Sequence, residues 1–285
     1  MKKVIVTGGC GYIGSHVARA FKQNGDRVHI IDREYRTHTL KDIDGYMIAD
    51  FVSEEALSLI IDLNPDVIVH CAGTSLVGPS MTNPELYYDN NFVKTKKLAD
   101  FLVKHKVETR LIFSSSAAVY GEPIMTPCQE VDPVAPISPY GASKLMVEWL
   151  LESYNKAYGL DYVAFRYFNA CGADSQARHG QAANGTHIIA RVLESVKNKT
   201  RFVLNGNTFE THDGTCIRDY IHVEDLAEAH IVAIDRNIPS GIYNLGTKTG
   251  HSNLNVVRVA AQVSGIDVAV LHGPQREGDP AILTA

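Results

Sequence analysis

At 285 residues with 45% hydrophobic content, the chain can bury a substantial core, enough for one α/β domain and a smaller companion. Its net charge of −5 comes without a basic run, which argues against nucleic acid and anionic membrane as partners, and no apolar stretch has transmembrane length. Five cysteines, scattered without a CxxC pair or zinc spacing, fit a reducing cytoplasm, and the apolar run Val4 to Val6 is too short for a signal peptide.

A short apolar strand near 2–7 opens the chain and runs into Gly8-Gly9-Cys10-Gly11-Tyr12-Ile13-Gly14, followed by a helical pattern over 12–24. Gly8, Gly11 and Gly14 let the chain turn sharply and let a pyrophosphate approach amides at a helix N-terminus. A second strand near 27–31 ends at Asp32, eighteen residues beyond Gly14. A carboxylate at that point can accept hydrogen bonds from both adenosine ribose hydroxyls and repel a 2′-phosphate, which favours NAD over NADP.

Strands near 67–70, 110–114 and 162–166 then alternate with helices near 53–63, 84–105 and 140–158. The alternation predicts an α/β fold, a Rossmann-like doubly wound parallel sheet with a smaller C-terminal substrate domain. Strand 110–114 runs into Ser114-Ser115-Ser116. Serines usually punctuate loops, but at the carboxyl end of a parallel strand they face the ligand crevice. Ser116 there can accept a hydrogen bond from a substrate alcohol and donate to the keto oxygen that develops from it.

Ser138-Pro139 starts the next helix, so Tyr140 lies in its first turn and Lys144 one turn later on the same face. A cation beside a phenol favours phenolate and pulls an ordinary value of about 10 towards neutrality, which makes tyrosine a usable base for an alcohol proton. A lone Tyr-x-x-x-Lys decorates many helices. Here the glycine loop offers a place for a hydride acceptor and Ser116 offers the partner for the hydroxyl. Of twelve histidines, His70 and His222 lie within apolar strands and read as packed structural residues.

The strings Thr7 to His16, Ser138 to Glu148, Arg166-Tyr-Phe-Asn-Ala-Cys-Gly172 and Arg218-Asp-Tyr-Ile-His-Val223, taken with Ser114 to Ser116, resemble the UDP-glucose 4-epimerase family of the extended short-chain dehydrogenase/reductase superfamily. The resemblance covers essentially the whole chain. It implies tightly bound NAD, a UDP-sugar substrate and catalysis by Ser116, Tyr140 and Lys144. Tyr140 takes the proton of the 4-hydroxyl, hydride leaves C4 for NAD⁺, the 4-keto sugar turns over, and hydride returns to its opposite face. The 4,6-dehydratases of the superfamily carry Thr-Asp-Glu where this chain has Ser116-Ala117-Ala118. Two alanines cannot move the protons that elimination needs.

Residue by residue, the resemblance places Gly8, Gly11, Tyr12, Ile13 and Gly14 with Asp32 along the cofactor, and Asp50 and Phe51 by its adenine. Ala72, Gly73, Ser75, Asn90 and Ser114 lie further along, Phe168 lies by the nicotinamide, and Tyr140 and Lys144 touch the cofactor too. Ser75 stands where some relatives carry a lysine. Asn169 and Arg218 match diphosphate contacts, Arg276 and Asp279 match the nucleotide clamp, and Leu283 falls at the sugar-pocket gate.

On this basis residues 1–171 are expected to form the NAD-binding domain, with 216–236 returning to it. Residues 172–215 and 237–285 are expected to bind the UDP-sugar, with the polar stretch from Gly172 to Thr186 at the boundary. Family members continue beyond the position of Ala285, so either a segment is missing from the sequence or the substrate domain is shorter. A homodimer is expected through the helices near 84–105 and 140–158, using Leu98, Phe101, Leu102, Leu145, Val147 and Trp149. Epimerases of UDP-N-acetylhexosamine or UDP-pentose remain alternatives for the sugar, and a non-catalytic NAD-sensing protein is the alternative class; an intact Ser116, Tyr140 and Lys144 favours an enzyme.

Overall fold

Apolar runs buried on both faces become parallel strands, and such runs build the central sheet of the computed structural model, which describes residues 1–35, 42–181, 185, 187–276 and 278–285. The strands are β1 (Lys3–Thr7), β2 (Arg27–Asp32), β3 (Gly45–Ile48), β4 (Val67–His70), β5 (Arg110–Ser116), β6 (Tyr162–Tyr167), β7 (Asn169–Cys171), β8 (Phe202–Asn205), β9 (Ile217–His222), β10 (Gly241–Leu245), β11 (Gly250–Ser252), β12 (Val270–Gly273) and β13 (Ile282–Leu283). The helices are α1 (Tyr12–Gln23), α2 (Glu54–Leu63), α3 (Val77–Thr82), α4 (Pro84–Tyr87), α5 (Lys94–Lys104), α6 (Pro139–Tyr158), α7 (Ile188–Asn198), α8 (Val223–Asp235) and α9 (Asn253–Ser264).

The main sheet has the order β10-β6-β5-β4-β1-β2-β3 with every neighbouring pair parallel. Successive strands run outward from β1 in one direction as far as β3 and then resume on its other side with β4. That reversal opens a crevice at the carboxyl ends of β1 and β4, where open α/β sheets bind their ligands. One face of the sheet is covered by α1 and α8, through Val17, Phe21, Leu226 and Ala233. The other is covered by α2, α5 and α6, through Ile60, Leu98, Leu102, Val147 and Leu151.

Two strands of this sheet escape a reading of the sequence. Both β3 and β10 are edge strands with half-exposed residues, so neither carries the solid apolar run of β1 or β4. β10 belongs to the segment expected in the sugar-binding part, yet it pairs with β6. In the segment expected to return to the NAD-binding domain, β9 pairs with β7, β11 and β13 in a second sheet and α8 packs onto α1. A smaller layer forms from α7, α9, β8 and β12 around Val192, Phe202, Leu204 and Val257. Of the boundary stretch, 182–184 and 186 lie outside the described residues.

The expected helix near 84–105 is α4 and α5 joined by a π-helical stretch, Tyr88–Val93. The wider turn lets the consecutive Asn90 and Asn91 both be buried, at 6% and 1% exposure. Among the residues expected at a dimer contact, Leu98, Leu102, Leu145 and Val147 are buried in the chain's own core and Phe101 packs against it; Trp149 is 56% exposed. Among the described residues no helix is long and apolar enough to cross a membrane.

Candidate active site

The crevice is shaped first by backbone. Gly8 turns with a φ of +68°, and a Cβ there would lie 2.6 Å from the Ala72 amide nitrogen; on Gly14 it would lie 2.3 Å from the Gly8 carbonyl oxygen. Side chains at either place would fill the loop. Gly11 caps α1 without a side-chain hydrogen bond, and the first turn of α1 holds no acidic residue, so its amides face an environment suited to an anion. Asp32 Oδ2 accepts from the Cys10 amide at 2.9 Å and Oδ1 from the Glu34 amide at 3.0 Å, which fixes the carboxylate beside the loop at the end of β2. Tyr12 donates to the Gly172 carbonyl at 2.7 Å, tying α1 to the chain that leaves β7, while Ile13 packs against the core.

Further along the crevice, Lys94 Nζ donates to Asp50 Oδ2 at 2.8 Å and to Asn90 Oδ1 at 3.0 Å. Burial opposes the charge on Asp50, but Lys94 and the Val52 amide outweigh it and hold the carboxyl below its ordinary range. Asn90 Nδ2 donates to Thr74 Oγ1 at 3.1 Å, and Asn91 clasps the Thr74 backbone, accepting from its amide at 2.7 Å and donating to its carbonyl at 2.9 Å. The loop carrying Ala72, Gly73 and Ser75 is therefore held by the π-helical stretch. Phe51 points inward, edge-on to His70 at 4.6 Å, so its side chain serves the core. Thr95 Oγ1 gives its proton to the Asn91 carbonyl at 2.6 Å, so His70 Nε2 donates to Thr95 and Nδ1 accepts from Thr7. Burial, aided by Lys144, lowers His70 to about 3 and keeps the ring neutral.

The catalytic candidates meet where β5 ends and α6 begins. Ser138 Oγ accepts from the Gly141 amide at 3.2 Å and Pro139 occupies the first turn, so α6 starts where the sequence predicts. A Cβ on Gly141 would lie 2.5 Å from the Ala118 carbonyl oxygen. Glycine thus lets the start of α6 press against the turn after Ser116, which brings Ser116 near enough to Tyr140 to favour its ionised form. Lys144 is 5% exposed and donates to the Ser114 carbonyl at 2.8 Å, with its ammonium 6.0 Å from the Tyr140 ring centroid.

One expectation is corrected here. Burial raises the Tyr140 phenol above its ordinary value, and the nearby Ser116 offsets only part of that. Lys144 does not pull it down, because Lys144 loses its own proton before the phenol ionises. Lys144 itself is lowered to about 8 by burial, against the pull of Cys71 and Glu148.

On the distal side, Phe168 is buried with Ala117, Tyr120, Leu145 and Leu283. β7 and β9 pair Asn169 with Tyr220, whose hydroxyl donates to Asn253 Oδ1 at 3.4 Å. Register along β9 sets Leu283 opposite Arg218, whose Nη2 lies 3.6 Å from Asp279 Oδ1. Arg276 follows β12 and is exposed. Ser114 Oγ lies 3.2 Å from Cys71 Sγ and 2.9 Å from the Tyr167 hydroxyl, between the glycine loop and Lys144.

A model of the NAD dependent epimerase/dehydratase family matches residues 4–246. The chain belongs to that family. It is 40% identical to the UDP-glucose 4-epimerase of Halalkalibacterium halodurans over 99% of this chain and 86% of that protein. The crystal structure of UDP-glucose 4-epimerase from Brucella ovis in complex with NAD is similar at a TM-score of 0.93 and 36% identity, covering 100% of this chain and 90% of that one. The Bifidobacterium longum enzyme, solved with NAD⁺ and UDP, is similar at 0.92 and 32%, covering 99% and 89%.

For this member of the NAD dependent epimerase/dehydratase family, sequence reasoning missed Asn91 and Lys94. Two consecutive asparagines inside a helical pattern, poor helix formers both, were the available signal. Lys94 carried none, since its partner Asp50 lies on a separate loop.

Proposed function

We propose that the protein is a UDP-glucose 4-epimerase, interconverting UDP-glucose and UDP-galactose through a transient 4-keto sugar with tightly bound NAD. The observation that carries this reading is the meeting of Ser116, Tyr140 and buried Lys144 where β5 ends and α6 begins, with Ala117 and Ala118 next in the chain. The backbone cradle of Gly8 and Gly14 with Asp32 fits a dinucleotide, and Asp50, Asn90 and the Ala72–Gly73 turn extend that groove. NAD⁺, when bound, supplies the acceptor that takes and returns the C4 hydride.

The chain's own residues supply the rest. Ser116 holds the 4-hydroxyl in line with Tyr140, and Tyr140 removes its proton and later returns it. Lys144 brings positive charge to the same corner. Asn169, Arg218 and Arg276 hold the diphosphate, guanidinium groups being suited to bidentate contact with phosphate oxygens. Ala117 and Ala118 offer no second acid and base, so water is not eliminated.

UDP-glucose carrying deuterium at C4 should therefore give UDP-galactose with deuterium still at C4 by NMR, and denaturing the purified protein should release near-stoichiometric NAD(H). Deuterium at C6, or steady accumulation of free NADH, rejects the epimerase reading. Supporting it are the names of the relatives and the NAD⁺ and UDP held by the Bifidobacterium longum enzyme.

The reading includes a homodimer through the outer faces of α5 and α6. Trp149 on α6 is 56% exposed and Val93, just before α5, 38%, more apolar surface than this helix pair would leave to water. Light scattering at micromolar concentration should give twice the chain mass. A monomer under those conditions, or an unchanged dimer in Trp149→Glu, removes this contact from consideration.

A further inference from the structure

A guanidinium carries donors on every edge and no acceptor, so a site that uses one must settle which edge faces the ligand. β8 and β12 form a parallel ladder that sets Asn205 opposite Gly273, closed by the Gly206 amide donating to the Gly273 carbonyl at 3.1 Å. The chain then turns off β12 and reaches Arg276. There the Asn205 amide oxygen accepts from both Nε and Nη2 of Arg276, each at 2.7 Å. The amide must present its oxygen, since the guanidinium has nothing with which to accept. Gly273 makes room for the pairing, because a Cβ on it would lie 2.6 Å from the terminal amide of Asn205.

The two arginines of the distal side are thus held by partners of different charge. Arg218 has a carboxylate, Asp279, at 3.6 Å. Arg276 has a neutral amide that occupies the Nε edge of the guanidinium. Its outer edge, formed by Nη1 and the second Nη2 hydrogen, is left for a bidentate acceptor. The charge of Arg276 also reaches Arg191 on α7, whose guanidinium is lowered by burial and then by Arg276.

We infer that Asn205 is a positioning residue for the nucleotide diphosphate: it turns the outer edge of Arg276 towards the phosphates without neutralising its charge. The inference rests on reading Arg276 as a diphosphate contact. An aspartate at the same place would make a stronger hydrogen bond to Arg276 but cancel the charge that attracts the ligand, so a better-held arginine would bind UDP less well. A residue with a purely structural role would show the opposite order.

The test is calorimetric titration of the NAD-loaded full chain with UDP and with uridine, which lacks the phosphates. Asn205→Ala should weaken UDP by about 10- to 150-fold, the range for one hydrogen bond to a charged group. Asn205→Asp should weaken it at least as much, without lowering the thermal midpoint, and neither should alter uridine binding by more than about two-fold. For UDP-glucose the effect should fall on KM more than on kcat. In an Arg276→Met background, Asn205→Ala should have little further effect on UDP, because the pair acts as a unit.

UDP affinity equal to wild type in both variants, or an equal loss for UDP and uridine, overturns the role of Asn205 and leaves the epimerase reading standing. A wild-type, NAD-loaded chain that does not bind UDP overturns both. Should Asn205→Ala fail to fold, the near-isosteric Asn205→Asp decides: unchanged UDP affinity in that variant alone is enough to reject the proposal.

Discussion

Tyr140→Phe is expected to lower kcat by about 10²–10⁴-fold, the usual contribution of a positioned acid–base group. The substitution is selective because the ring position is fixed by things it does not touch: the Ser138 cap, Pro139 in the first turn, and the Tyr87 ring edge-on at 6.4 Å. Phenylalanine fills the same space and loses only the hydroxyl beside Ser116. UDP affinity should stay within about two-fold, since an interaction made in the transition state affects kcat and not ground-state binding. Burial raises the phenol, so the basic form is scarce at neutral pH and the wild-type rate should climb as pH rises towards that raised value. Steady-state kinetics against pH checks both points. Retention of more than about a tenth of kcat in Tyr140→Phe would remove Tyr140 from the role of base.

What the sequence disclosed was whatever is written locally. The glycine loop, Asp32 at a strand end, and the Ser138-Pro139 start of α6 each depend on residues a few positions apart, and each is found where their spacing places it. The phenol was misjudged for the complementary reason. Helical spacing makes Tyr140 and Lys144 neighbours, but burial by the rest of the fold raises the phenol and lowers the amine, and that burial leaves no mark on the helix. Amphipathic patterning marked Leu98, Leu102, Leu145 and Val147 as apolar faces without saying what covers them, and the chain's own core does. The pairing of Asn205 with Arg276 depends on β8 lying beside β12, a contact between distant segments that no local periodicity encodes.

Glu148→Gln should destabilise the fold by about 3–5 kcal/mol, the cost of breaking a buried ion pair from one side. The Glu148 and Arg166 side chains are 0% and 4% exposed, and Arg166 Nη2 meets Glu148 Oε2 at 2.7 Å while Nε reaches Oε1 at 3.1 Å. Arg166 also donates to the Tyr120 hydroxyl at 2.9 Å, and Tyr120 in turn donates to Asn244 at 2.8 Å, so β6, α6, β10 and the turn after Ser116 share one polar network. Glutamine keeps the shape but leaves the guanidinium buried without a countercharge. For a chain of this size the thermal midpoint should fall by roughly 5–8 °C. Glu148 additionally takes a short hydrogen bond from Ser115, the neighbour of Ser116, so kcat should fall as well at temperatures where the variant is folded. The double replacement Glu148→Met with Arg166→Met strands no charge and should cost less than Glu148→Gln alone. A double variant at least as unstable as the single one would show that packing, not the stranded charge, sets the penalty.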